Sequence, residues 1–444
     1  MKKWRLVQWV FGLVLILAAC QKEVVEPDHL SLFVLPDDGS AVILDAIHEA
    51  DESVVFVMYL VTNDDFIDAL RAAEARGVQV KGIMELNPYG GSSSNINVFN
   101  DLVDSGAEMK WDHNGIRYMH QKMILIDNET MFIMTCNMTS SGLSANREYG
   151  LIDTDPDRIA EVRSVFDADW NRTDLSLAEP LLVWSPINAR QTLVSLIDSA
   201  QNTIELQQSS MLDPEIETQL AAAAGRGVEV RYVSSPDWPL SEDADEPARE
   251  RLRQAGVQVR YLDDPFVHAK VFLIDGRVGF VGSENISTNS LDNNRELGLI
   301  FEDLDSVERL NAQLEADWVV ATEEGFPESG AAVPESGYID HADARKFFYR
   351  EVTVEVPVLY TYNSGRVIWL MGNEDADSNF KVVIFPSDWS KWPQTPDLYY
   401  GGKVLHVSGL IEKYQGFPEM IVNDPAEIEI VGETGQEAQP MPAN

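Results

Sequence analysis

The chain repeats a short polar pattern at one fixed spacing. His120-Gln121-Lys122 and His268-Ala269-Lys270 lie 148 residues apart (268 − 120 = 148), and Asp127 and Asp275, then Glu148 and Glu296, keep the same step. Upstream, "EARGVQV" from Glu74 and "AGRGVEV" from Ala224 align at an offset of 150. Around them, Ser53 to Glu85 and Asn202 to Ser235 share one order: an apolar β-branched run, an Ala-rich helical pattern, a Gly turn and an alternating strand. Two α/β units are therefore expected, over 28–175 and 178–322. On a strand, residues two apart share a face, so His268 and Lys270 point one way while Val267, Ala269 and Val271 point the other. A lysine turned inward needs an anion.

The full pattern in the second unit is His268, Lys270, Asp275, Gly282, Ser283, Asn285 and Glu296; the first has His120, Lys122, Asp127, Asn137 and Glu148. This H-x-K-x4-D-x6-G-S-x-N pattern, present twice between about Leu30 and Asp317, resembles the phospholipase D superfamily. The resemblance implies a pseudo-dimer of two α/β units in one chain, with one active site where the motifs meet. It implies hydrolysis of a phosphodiester through a phosphohistidine, by a monomer. No cofactor is expected, and no close His/Cys/Asp cluster has metal-ligand spacing.

The chemistry accounts for the residue types. Lys122, Lys270, Asn137 and Asn285, with the hydroxyls of Ser283 and Thr135, are the expected donors to the phosphate oxygens. One imidazole attacks phosphorus and the other protonates the leaving alcohol. By the resemblance His120 is the nucleophile and His268 the acid, although the sequence itself shows only their equivalence. Glu148 and Glu296 suit the far ring nitrogens, with Glu296 the expected partner of His268. Asp127-Asn128 and Asp275-Gly276 are turn dipeptides between apolar strands, so these aspartates are read as structural. One departure stands out: Met134-Thr135-Cys136-Asn137 replaces Gly-Ser-x-Asn in the first copy. Losing that glycine would reshape one wall of the site, or mark a catalytically silent surface binding protein.

Outside the units, Lys2, Lys3 and Arg5 precede an apolar run from Trp9 to Ala19, too short to span a bilayer. It ends in Leu17-Ala18-Ala19-Cys20, which resembles a bacterial lipobox. The expectation is a lipoprotein signal over 1–20, lipidation of Cys20 and a membrane-tethered, extracytoplasmic protein at the cell surface or outer membrane. Residues 323–344 read as a linker. Short alternating runs over 345–431 read as a small β-barrel, its end resembling an OB-fold, and 432–444 as a disordered tail. The aromatics Tyr360, Tyr362, Trp369, Trp389, Trp392, Tyr399 and Tyr400 are candidates for base stacking or for core. With 33 Lys+Arg against 73 Asp+Glu the net charge is −40, which opposes polyanions at long range. Phospholipid is thus the first substrate expected, with DNA or RNA as the alternative.

Overall fold

A computed structural model describes residues 29–88, 94–113, 115–235, 243–323, 333–348, 350–373, 380–414 and 417–441. The expected leader with Cys20 and residues 324–332 of the expected linker lie outside them.

The first unit runs β1 (Leu30–Leu35), α1 (Ala41–Glu49), β2 (Ser53–Met58), α2 (Asp64–Arg76), β3 (Gln79–Met84), α3 (Ser94–Ser105), β4 (Glu108–Trp111), β5 (Met123–Ile126), β6 (Thr130–Met134), α4 (Ser140–Ser144), β7 (Asn146–Asp153) and α5 (Pro156–Asn171). The second runs β8 (Val183–Ser185), α6 (Ala189–Ser199), β9 (Thr203–Gln208), β10 (Met211–Leu212), α7 (Pro214–Gly225), β11 (Glu229–Ser234), α8 (Glu246–Gln254), β12 (Gln258–Tyr261), β13 (Phe266–Val267), β14 (Lys270–Ile274), β15 (Val278–Gly282), β16 (Ile286–Ser287), α9 (Thr288–Asp292), β17 (Glu296–Phe301) and α10 (Leu304–Val320). The sheets have matching orders, β1-β7-β6-β5-β2-β3-β4 and β8-β17-β15-β14-β9-β11-β12. Crossover helices make β2, β3 and β4 parallel, whereas β5, β6 and β7 are joined by short connections and run antiparallel.

The hairpin aspartates do what their turn chemistry suggests. Asp127 and Asp275 sit at positive φ (53° and 51°), in a conformation Asp tolerates. The Asp127 carboxylate accepts the amides of Asp51, Glu52 and Ser53, and Asp275 those of Gln201, Asn202 and Thr203. Each pins the tip of a hairpin to the start of the neighbouring strand.

One apolar core is shared by both units. Val55, Val57, Met123 and Leu151 from the first join Val267, Val271, Leu297 and Leu299 from the second, with α5 and α10 contributing Phe166 and Leu314. Around that core the chain crosses over. β13 of the second unit pairs with Asn146 and Arg147 on β7 of the first, and Met119 of the first bridges Arg295 of the second. Side chains cross too: Arg147 binds Asp317 at 3.1 Å, and Arg295 binds Asp169 through two bonds of 2.8 and 2.9 Å. These pairs are equivalent by the repeat, since 147 + 148 = 295 and 169 + 148 = 317.

The C-terminal region departs from a closed barrel. Its strands are β18 (Ile339–Asp340), β19 (Glu351–Pro357), β20 (Tyr360–Asn363), β21 (Ile368–Met371), β22 (Lys381–Ile384), β23 (Lys403–Leu410), β24 (Glu412–Tyr414), β25 (Phe417–Ile421), β26 (Ile428–Glu433) and β27 (Gln439–Pro440). They form two sheets, β18-β19-β23-β26 and β24-β25-β22-β21-β20-β27, and no ring closes among the described residues. At Ile411 the chain passes from one sheet to the other, which places β25 beside β22 instead of completing a circle. The tail expected to be disordered continues β26 to Glu433 and pairs Gln439–Pro440 with β20, where Tyr360 and Thr361 offer backbone partners.

Truncating Asp317 to Ala removes the buried carboxylate that Arg147 and Gln207 share, leaving Arg147 the Leu35 carbonyl and Asp37. Removing one partner of a buried pair costs roughly 3–5 kcal/mol; chemical denaturation of D317A is expected to show a loss of that size. An unchanged midpoint would mean that the crossed pairs do not hold the units together.

Candidate active site

His120 and Lys122 lie just before β5, and His268 lies just before β14, which opens at Lys270. Each histidine is anchored on the opposite unit: the His120 amide donates to the Arg295 carbonyl at 2.9 Å, and the His268 amide to that of Arg147 at 3.2 Å. The residues after those arginines are the glutamates, and they cross as well. Glu296, expected beside His268, instead accepts from Nδ1 of His120 at 2.8 Å. Glu148 accepts from Nδ1 of His268 at 2.6 Å. The cause is the strand exchange, which puts each Arg-Glu dipeptide under the other unit's histidine. With Nδ1 bound to a carboxylate, Nε2 is the ring nitrogen that the glutamates leave open.

The hydroxyls expected on phosphate serve the glutamates. Ser283 donates to Glu296 at 2.6 Å and Thr135 to Glu148 at 2.5 Å, and both residues are fully buried. Asn137 and Asn285 stand at the same level; Asn285 Oδ1 accepts from Ser209, whereas Asn137 Oδ1 is buried without a partner. Both lysines are buried and each donates to its own histidine's carbonyl. Lys270 Nζ also lies 3.2 Å from Ser209 Oγ and 3.3 Å from the His268 ring nitrogens. Lys122 instead sits 5.3 Å from the Tyr59 ring, which packs edge-on against His120 at 4.6 Å.

Burial governs the charges here. It lowers Lys122 to about 7 and Lys270 to about 8, partly offset by the two glutamates. It lowers His120 to about 4 and moves His268 in the same direction. Burial alone would raise Glu296, but His120, Lys122 and Ser283 hold it below its ordinary value. Charges of one unit act on groups of the other, so the half-sites form one electrostatic whole.

Comparison with known proteins fits this geometry. A family model described as "Cardiolipin synthase, PLD-like domain" matches residues 43–170 and again 193–318. The chain belongs to this family. Among curated relatives, a cardiolipin synthase 1 of Bacillus anthracis is 21% identical over 65% of this chain and 66% of its own length. A mitochondrial cardiolipin hydrolase of Homo sapiens is 31% identical over 30% of this chain and 51% of its own. The chain thus spans two thirds or less of these relatives. Among solved structures, a phosphatidylserine synthase from Haemophilus influenzae Rd KW20 shares the fold with a TM-score of 0.51 at 11% identity, covering 66% of this chain and 87% of that one.

Within this phospholipase D-like frame, Met134 has a structural explanation. The position is Gly282 in the second unit, where an added Cβ would fall 2.1 Å from Oε2 of Glu284 and 2.8 Å from the Phe280 ring. The glycine makes room for the Glu284 side chain, not for substrate. In the first unit Cys136 replaces Glu284 (284 − 148 = 136), so Met134 fills the space as core. Sequence reasoning passed over Glu284, Ser290, Asn294, Tyr59 and Ser209. Carrying the repeat alignment through every polar position would have exposed the arginine and aspartate pairs and the Asn146–Asn294 match; Glu284, Ser290, Tyr59 and Ser209 differ between copies and leave no such trace.

Glu284 is fully buried, neither carboxylate oxygen has a hydrogen-bond partner, and burial beside Glu296 pushes it well above the ordinary value of 4.5. Above 4.5 the unfolded chain loses a proton that the folded chain keeps, so Glu284 reduces stability as pH rises. Glu284→Gln is expected to gain stability on wild type as pH rises above 4.5, by up to about 1.4 kcal/mol per pH unit. Parallel stability curves would show Glu284 ionised in the fold.

Proposed function

We propose that the protein is a phospholipase D-type phosphodiesterase working through a phosphohistidine, with phospholipid as substrate. The observation that carries this reading is the pair of crossed His–Glu dyads flanked by two buried lysines. A phosphodiester is an anion that resists attack, and Lys122 and Lys270 supply the positive charge its oxygens require. The Nε2 lone pair of His120 attacks phosphorus while the bond to the leaving oxygen breaks. That oxygen takes the Nε2 proton of His268, and Glu296 accepts the charge developing at Nδ1 of His120. In the second step His268 removes a proton from water, the water oxygen bonds to phosphorus and the P–N bond breaks. An alcohol in place of water gives transfer instead of hydrolysis by the same path.

Phospholipid is supported by the names of the relatives, which include cardiolipin synthases and a cardiolipin hydrolase. The expected Cys20 anchor would hold the enzyme beside head groups, and the net charge of −40 disfavours nucleic acid. A nuclease is the second reading, favoured by the stacked, half-buried Tyr362 and Trp369 on the C-terminal sheet.

Protein lacking residues 1–20 is to be given bis(4-nitrophenyl) phosphate, cardiolipin and phosphatidylcholine vesicles, and single- and double-stranded DNA, all with EDTA. Turnover of vesicles but not DNA is expected. His120→Ala and His268→Ala should each lower it by more than about 10²-fold. DNA cleavage alone would replace the lipid reading with the nuclease one, and a near-normal rate in either variant would overturn the shared site.

A further inference from the structure

The repeat makes the two half-sites equivalent, but the surroundings of their carboxylates differ. Glu148 receives two side-chain donors, Thr135 and His268. Glu296 receives four: His120, Ser283, Ser290 at 2.7 Å and Asn294 at 2.9 Å. Ser290 and Asn294 are both buried, on α9 and at the turn that follows it.

The first unit is built without these donors. Position 142, the counterpart of 290 (290 − 148 = 142), is a glycine. A Cβ there would fall 2.4 Å from the Asn137 carbonyl oxygen, so the backbone leaves no room for a serine. Asn146, the counterpart of Asn294, is half-buried and makes no bond to Glu148. The rings differ accordingly. Tyr59 covers His120, whose side chain is 10% exposed, while Ser209 stands in the corresponding place and leaves His268 25% exposed.

We propose that Ser290 and Asn294 are positioning residues that draw electron density from Glu296, weaken its hold on His120 Nδ1–H and keep His120 the unprotonated ring. His268, on the less encumbered Glu148, is then the ring that carries the proton. A carboxylate whose lone pairs are shared among four donors is a poorer acceptor for each of them. The lysines do not create this distinction, and Lys270, whose Nζ lies 3.3 Å from both ring nitrogens of His268, works against it. His120 faces Lys122 and Lys270 besides Glu296, His268 faces the same two lysines besides Glu148, and both lysines oppose a proton on either ring. Glu284 lies beside Glu296, and the buried Cys136 thiol, pushed up by burial, lies near Glu148. The assignment rests on the phosphohistidine reading for its catalytic consequence, but not for the state of the rings.

The test is NMR titration of the full chain carrying ¹³Cε1-labelled histidine. There are 7 histidines, and the His120 and His268 signals are identified by their loss in the alanine variants. Ser290→Ala and Asn294→Ala should each raise the His120 midpoint by about half a unit to one unit and leave that of His268 in place. The acid limb of the kcat/KM profile should move up by the same amount, a displacement that loss of packing alone would not produce. An unmoved His120 midpoint in both variants, with melting curves showing them folded, would overturn the proposal. A moved midpoint in a chain that turns over no phosphodiester would keep the inference and sink the enzymatic reading.

Discussion

Everything in the two-unit body depends on one exchange: each unit hands an Arg-Glu dipeptide to the other. Arg147 and Arg295 reach across to Asp317 and Asp169, and the next residues, Glu148 and Glu296, reach across to His268 and His120. Because alternate strand residues point to opposite sides, one short segment can both lock the interface and orient a histidine ring of the other unit. Neither unit alone holds a complete histidine–carboxylate pair. Folding of the interface and assembly of the site are therefore the same event, and the shared apolar core supplies the burial that makes the ionic pairs tight.

How much of this was legible in the sequence follows from what a repeat can say. The offset of 148 identified His120, Lys122 and Glu148 as counterparts of His268, Lys270 and Glu296, and the strand-helix-strand order gave the two sheets. Equivalence under a pseudo-two-fold axis does not say whether a side chain meets its own copy's partner or the other's, so Glu296 was placed with the wrong histidine. The turn aspartates were readable because their chemistry is local. Ser283 and Thr135 were misplaced because a hydroxyl beside a catalytic motif has two anions within reach, substrate and glutamate. Only the fold shows which one it serves.

Met134 shows the same limit at the level of packing. Read alone, the loss of a glycine suggests a damaged motif. Read with position 136, it is one half of a paired change: Gly with Glu in one unit, Met with Cys in the other, both filling similar space. A single sequence offers no way to see that the two positions touch. The C-terminal strands were legible only in part, since alternation predicts strands and their faces but not which edges pair. Two sheets and one closed barrel have the same pattern along the chain.

The charge balance of the site explains how it is loaded for reaction. Two glutamates and two lysines, all buried, cancel when the lysines are protonated and the histidines neutral. That state is poised and not comfortable, since burial drags Lys122 down to about 7 and holds both histidines below their ordinary value. On the proposed reading, a phosphodiester entering between the lysines would add one negative charge to a region of low dielectric. The cheapest response is to bind protons, first by fixing both ammonium groups and then by protonating an imidazole. In the proposed reaction, the proton that the leaving oxygen needs would thus be drawn in by the substrate's own charge.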